Sequence, residues 1–350
     1  MNRLTKLREL LKKSDADGII ISSYPNIFYL SEFTSEDCIL YITSLDAYLI
    51  TDSRYTVQAK KEAKGYKIII RNSSYIEELK KVVGENKTIL FEDSLPFFDY
   101  KSYSENLNCN LMSTNIDHLR NIKDEKEIKN IKKACDIASK AYKHILDFVK
   151  PGMREVEVSN EIESFMKSLG ASKVSFDTIV ASGIRGSMPH GTASNKIINE
   201  GDFVTIDYGC IYGGYCSDIT RSFLVGDSNK KLEKVYRIVK EAQEAAIKMV
   251  KAGIRASEVD KAARNYIESK GYGKYFTHST GHGVGIVVHD PISVSSKSDM
   301  ILQENMVITI EPGIYIPNVG GIRIEDDVLV TKDGCKVLTS ACKRLRKIRK

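Results

Sequence analysis

Leu4, Leu7, Leu10 and Leu11 recur at helical spacing and predict an amphipathic helix over residues 3–13. Gly18-Ile19-Ile20-Ile21 then reads as a short buried strand. Apolar runs at 39–42 and 47–50 flank Ser44-Leu45-Asp46 and predict a hairpin; runs at 67–70 and 88–91 predict further strands. Helical patterns fall between them, so this part reads as a small α/β domain. Near Asn121 the pattern changes. Residues 123–149 predict one long charged amphipathic helix, ended by Pro151-Gly152. The expected division is an N-terminal domain over 1–120 and a second domain over 121–350.

The second domain carries an internal repeat. Residues 149–170 align without gaps on residues 250–271, with eight of 22 positions identical at an offset of 101. Each copy follows a long helix, enters through K-x-G-x-R and begins another helix. Two duplicated halves would form a pocket at their interface.

Composition bounds the class without naming it. A chain of 350 residues exceeds what one core usually needs. Its apolar fraction is ordinary and its charges are mixed in sign, as in a soluble globular protein. The small net charge of +6 is concentrated in the tail from Lys343 to Lys350, which reads as a solvated, frayed terminus. No aromatic residues interleave with it, so a nucleic-acid partner is not expected. No apolar run approaches the ~20 residues of a membrane span. Residues 1–6 lead into an amphipathic pattern, not a signal sequence. Seven scattered cysteines without CxxC spacing fit reduced thiols in a cytoplasmic protein.

The chemistry lies in acids on strand-like segments. Thr205-Ile206-Asp207-Tyr208-Gly209 and Tyr215-Cys216-Ser217-Asp218-Ile219 flank a glycine turn. A two-residue loop at Tyr212-Gly213 would set Asp207 directly opposite Asp218, with Cβ atoms about 5 Å apart. Facing carboxylates repel unless a cation lies between them, and divalent ions ~3.5–4 Å apart suit such a bridge. The second half mirrors this: a loop centred on Asn318 pairs Glu311 with Glu325. His282, in Gly281-His282-Gly283-Val284-Gly285, supplies a nitrogen ligand, and His190, His278 and His289 fall in the same segments. Oxygen ligands with one imidazole suit Mn, Co, Fe or Zn rather than a structural zinc site.

These segments resemble the pita-bread metallopeptidases, in the Xaa-Pro aminopeptidase and prolidase branch. The matching stretches are Ser187-Met188-Pro189-His190-Gly191, residues 207–221, residues 278–285 and residues 311–325. Ser23-Tyr24-Pro25-Asn26-Ile27-Phe28-Tyr29-Leu30 is the best match in the first domain. The resemblance implies an α/β creatinase-like N-terminal domain and an α+β pita-bread domain with a pseudo-twofold repeat. It implies two divalent ions per chain, chiefly manganese. Asp207 would chelate one ion, Asp218 and Glu325 would bridge both, and His282 and Glu311 would complete the other. A water between two cations becomes hydroxide at neutral pH. Glu311 would shuttle its proton. His190 and His289 would bind the substrate and the tetrahedral intermediate, and Arg323 would brace the carboxylates. The implied substrates are peptides with proline in second position, and the implied assembly is a homodimer.

One departure bears on specificity. The prolidase pattern after the histidine is H-E-x-P with an arginine close behind, resembling a clamp for a dipeptide's carboxylate. Here the segment is His289-Asp290-Pro291-Ile292-Ser293, without that arginine. The expectation is therefore an Xaa-Pro aminopeptidase, with an Xaa-Pro dipeptidase as the alternative. A methionine aminopeptidase, a metal-free creatinase-type enzyme and a non-catalytic binding module fit the residues less well.

Overall fold

The computed structural model describes residues 2–227 and 229–349. The chain divides into two units, Met1–Arg120 and Asn121–Lys350. The first contains, in order, α1 (Arg3–Lys13), β1 (Gly18–Ile21), α2 (Tyr24–Ser31), β2 (Cys38–Thr43), β3 (Ala47–Thr51), α3 (Thr56–Glu62), β4 (Lys67–Ile70), α4 (Tyr75–Val83), β5 (Lys87–Glu92), α5 (Phe97–Asn106) and β6 (Cys109–Thr114). They form one six-stranded sheet in the order β4-β3-β2-β1-β5-β6. The β1–β2–β3 meander is antiparallel, and β4, β5 and β6 join in parallel. Central β1 is buried at every position, which is why it reads as an unbroken apolar run. Strand β6 has no such signal: it is a half-exposed edge whose Asn110, Ser113 and Thr114 hide it from an apolar-run reading.

The second unit contains α6 (Glu125–Phe148), α7 (Glu155–Ser168), β7 (Lys173–Val174), β8 (Ile179–Ser182), β9 (Phe203–Tyr208), β10 (Cys210–Tyr212), β11 (Tyr215–Cys216), β12 (Ile219–Val225), α8 (Lys230–Met249), α9 (Ala256–Ser269), β13 (Gly281–Gly283), β14 (Asp290–Val294), β15 (Val307–Ile310), β16 (Gly313–Ile316), β17 (Gly320–Arg323), β18 (Asp326–Val330), β19 (Cys335–Val337) and β20 (Lys347–Ile348). Helix α6 starts in a capping box, with Asp124 accepting from the Glu127 N–H and Glu127 from the Asp124 N–H. Its stripe Ala134, Ile137, Ala138, Ala141, Tyr142 and Ile145 joins Val158, Ile162 and Met166 of α7 over Val204, Ile206 and Phe223. The second half repeats this scheme. Val235, Val239 and Ala242 of α8 and Val259, Ala263 and Ile267 of α9 pack on Ile308, Ile310 and Val328. Each fully buried large apolar side chain contributes roughly 1.5–3 kcal/mol, so the helix layers fix the two sheets firmly.

The sheets have the orders β20-β12-β9-β8 and β14-β13-β15-β18-β19. The C-terminal segment is not the frayed terminus that its charge suggests. Strand β20 pairs in parallel with β12, and Lys347 Nζ donates to Glu233 and to the Asp227 carbonyl. Among the described residues no helix is long and apolar enough to cross a membrane.

Candidate metal centre

Two hairpins bring the acids together, and their registers differ in legibility. In the second half, β15–β18 pairs Ile310 with Asp326, and β16–β17 pairs Gly313 with Arg323. Both ladders share one register, which sets Glu311 across from Glu325 and centres the loop on Asn318, as its left-handed φ of 59° requires. In the first half the register is two residues away from the sequence expectation. Tyr212 pairs with Tyr215 and Asp207 with Thr220, so Asp207 does not face Asp218 directly. The reason is the turn. A two-residue hairpin loop of this kind needs φ > 0 at both central residues. Gly213 and Gly214 supply it, at 57° and 84°, where Tyr212 would be strained.

The ladders are interrupted at the acids. Asp218, Glu311 and Glu325 lie outside the strands, and only Asp207 sits within one. Their N–H groups bond elsewhere: Glu325 to the Thr220 carbonyl (3.1 Å), Glu311 to the Thr280 carbonyl (2.7 Å) and Asp218 to Asp327 Oδ2 (2.9 Å). Two of these bonds cross between the halves.

Asp218, His282 and Glu325 offer ligand atoms that all lie within 4.8 Å of one another. His282 Nε2 is 3.6 Å from Asp218 Oδ2 and 3.4 Å from Glu311 Oε1. Its Nδ1–H donates to the Gly283 carbonyl at 3.1 Å, which leaves Nε2 as the lone-pair nitrogen facing the acids. Thr220 Oγ1 donates to Glu325 Oε2 at 2.5 Å, and Thr309 Oγ1 donates to Glu311 Oε1 at 3.3 Å. Asp207 Oδ2 accepts from Arg323 Nη2 at 2.6 Å. Asp207 Oδ1 and Asp218 Oδ1 are buried without a hydrogen-bond partner. Orphaned carboxylate oxygens aimed into a cluster of acids and one imidazole nitrogen are the donor set of a divalent cation site.

Electrostatics agree. Burial, and then Glu325 and Asp207, hold the Asp218 carboxyl well above the ordinary carboxylate range. Burial and then Glu311 do the same to Glu325. Burial pushes Glu311 up to about 7 against the pull of Arg323. Burial holds His282 and His289 below the usual imidazole range. These three acids, Asp218, Glu311 and Glu325, favour protonation unless a cation compensates them.

The centre forms one wall of a cavity of about 880 Å³. His190 and His289 line it, as do Asp207, Asp218, His282, Glu311, Arg323 and Glu325. The ring of His289 lies 4.2 Å from that of His282. Phe176, Ile179, Val288, Pro291, Ile292 and Met300 give an apolar wall. Arg323 is the sole Lys or Arg among the lining residues, and it is committed. Its Nη2 holds Asp207, its Nη1 donates to Tyr315 Oη (2.6 Å) and the Pro189 carbonyl (3.1 Å), and its Nε donates to Thr220 Oγ1 (3.0 Å).

His278 stands one step back. Its Nδ1–H donates to the Ser279 carbonyl (2.8 Å) and its Nε2 accepts from Tyr315 Oη (2.9 Å). Burial, then Arg323, lowers it to about 4, so it is neutral at pH 7. Sequence reading missed Tyr315, Thr220 and Thr309. For the two threonines the signal was spacing: Thr220 follows Asp218 by two residues and Thr309 precedes Glu311 by two.

Two duplicated halves around such a donor set suit a metal-dependent hydrolase. Residues 129–332 match the metallopeptidase family M24 and residues 3–122 match the creatinase/prolidase N-terminal domain. The chain belongs to this family. It is 41% identical to the Xaa-Pro dipeptidase of Pyrococcus horikoshii over 98% of each chain. A solved Xaa-Pro dipeptidase from Bacillus anthracis superposes with a TM-score of 0.96 at 43% identity, covering 99% of both chains. The X-Pro aminopeptidase from Thermotoga maritima superposes with a TM-score of 0.92 at 38% identity, covering 99% of this chain and 100% of its own.

Proposed function

We propose that this chain is an Xaa-Pro aminopeptidase that hydrolyses the bond between an N-terminal residue and proline. Two divalent cations, manganese foremost, are held by Asp207, Asp218, His282, Glu311 and Glu325. The donor chemistry fits: four carboxylates, two of them with orphaned buried oxygens, and one imidazole nitrogen. When bound, such ions act as Lewis acids and make water a nucleophile at neutral pH.

The chain's own residues do the rest. Glu311 borders the cavity with one oxygen steadied by Thr309, where it takes a proton from the attacking water and delivers it to the departing proline nitrogen. His190 and His289 stand on the cavity wall with ring N–H groups free to reach a substrate carbonyl and the developing oxyanion. Arg323 holds Asp207 in place from behind. The apolar wall excludes water and accepts a proline ring.

One observation carries the preference for peptides longer than two residues. The cavity's single guanidinium is occupied by Asp207, Tyr315, Thr220 and Pro189, so no lining cation is left for a dipeptide's carboxylate. The names of the Pyrococcus and Bacillus relatives favour the second reading, a dipeptidase. Manganese-loaded protein assayed on matched Xaa-Pro and Xaa-Pro-Yaa substrates separates them. Higher kcat/KM on the tripeptide is expected; cleavage of dipeptides alone would establish the second. A cytoplasmic homodimer belongs to the same reading, and light scattering checks the dimer.

A further inference from the structure

We propose that Lys343 and Thr339, in the C-terminal segment, are positioning residues for Glu325 and act on it through Asp326. The inference rests on Glu325 being a cation ligand. Asp326 follows it directly and is fully buried, yet it takes no part in the centre. Its carboxylate is saturated. Oδ1 accepts from Arg221 Nη2 and Thr339 Oγ1, both at 2.6 Å. Oδ2 accepts from Lys343 Nζ at 2.7 Å and Gln243 Nε2 at 2.8 Å. Four donors fill the acceptor directions of one carboxylate.

The same arginine fixes the ligand's own backbone. Arg221, fully buried, donates through Nη1 to the Glu325 carbonyl and to the Thr220 carbonyl (2.9 Å), and through Nη2 to the Ala341 carbonyl (2.7 Å). The peptide after Glu325 is thus gripped on both sides: its carbonyl by Arg221, and the next side chain by four donors. Half of those donors come from residues 339–343, which return past the second hairpin. The segment is held there by its own bonds: Tyr236 Oη to the Lys343 carbonyl, Leu224 N–H to the Arg346 carbonyl and Gly226 N–H to the Ile348 carbonyl. The clustered positive charge at the C-terminus therefore has a target inside the protein. One lysine reaches the strand that presents Glu325, and another, Lys347, docks the segment on Glu233 without touching Asp326.

Without Lys343, Asp326 Oδ2 keeps only a neutral amide donor. The carboxylate can then rotate, and the side chain next to Glu325 loses its one ammonium among four donors. Groups that orient metal ligands typically change metal affinity 10–100-fold when removed. The test is Mn²⁺ titration of the full chain, followed by calorimetry and by the Mn²⁺ electron paramagnetic resonance signal. The melting temperature of the metal-free protein is measured alongside. Lys343→Met should weaken Mn²⁺ binding about tenfold and lower kcat more than it raises KM. Lys343→Arg should restore affinity to within about twofold of wild type. Lys347→Met should lower the melting temperature and leave Mn²⁺ affinity unchanged. If Lys343→Met fails to fold, Thr339→Val carries the same expectation. Wild-type affinity in the Lys343→Met or Thr339→Val protein overturns the proposal, as does equal loss in Lys347→Met. A wild-type chain that takes up no Mn²⁺ overturns the cation reading of Glu325 and this inference with it.

Discussion

Thr220 and Glu325 hold each other twice: the Glu325 N–H donates to the Thr220 carbonyl at 3.1 Å, and the Thr220 hydroxyl donates to Glu325 Oε2 at 2.5 Å. The two residues belong to opposite halves of the duplicated unit. Thr220 Oγ1 also accepts from Arg323 Nε, so one hydroxyl orients both Glu325 and the arginine that braces Asp207. Thr220→Val keeps the shape and removes the hydroxyl. It should lower Mn²⁺ affinity and kcat/KM by about 10–100-fold with an unchanged circular dichroism spectrum. Wild-type kinetics would remove Thr220 from the machinery.

The clustered acids should make the metal-free protein less stable as pH rises. The folded carboxyl values of Asp218 and Glu325 are raised, and Glu311 and Asp327 reach about 7. Between the unfolded carboxylate range, about 4, and these raised values, the folded chain binds protons that the unfolded chain has released. Stability is therefore greatest at the low end of that window and falls through it. The melting temperature of chelated protein should drop from about pH 5 to about pH 8, and saturating Mn²⁺ should flatten the trend. A flat profile without metal would contradict the electrostatic account.

Asp218→Asn should separate function from stability. It removes a buried charge that burial and Glu325 disfavour, so the metal-free melting temperature should rise. Mn²⁺ binding and Xaa-Pro hydrolysis should both be lost. Retained hydrolysis would exclude Asp218 as a ligand.

Gly281→Ala should disable the centre without touching a ligand. A Cβ there would stand 1.9 Å from the Thr309 carbonyl oxygen, on the backbone that carries His282. The strand must shift, taking His282 Nε2 out of reach of Asp218. The expected result is a folded protein with at least tenfold weaker Mn²⁺ binding; tight binding would show that the strand gives way harmlessly.

Lys123 and Asp290 form a fully buried ion pair at 2.7 Å, next to His289. Lys123→Met removes the ammonium from a buried carboxylate and should cost about 3–5 kcal/mol in urea denaturation. A loss below about 1 kcal/mol would show that the pair adds little to stability.

The gathering of the acids was largely legible because they stand at strand-like spacing around turns. The Glu311–Glu325 register could be read from the loop at Asn318, a residue type that tolerates positive φ. The first hairpin departs by two residues from the Tyr212-Gly213 loop its spacing suggests, because only Gly213-Gly214 supplies two positive φ values. Strand β6 and the docking of residues 339–349 were not legible. Both depend on partners distant in sequence: β6 on β5, and Lys343 on an aspartate 17 residues away. Tyr315 was hidden for a similar reason, since its role comes from Arg323 and His278 on other segments.

The bonds that cross between the halves have a mechanical consequence. Glu325 is tied to Thr220, and Asp218 to Asp327, so the two duplicated halves cannot open like jaws without scattering the acids. Whatever binds in the cavity must therefore reach it while the frame around the acids stays clenched.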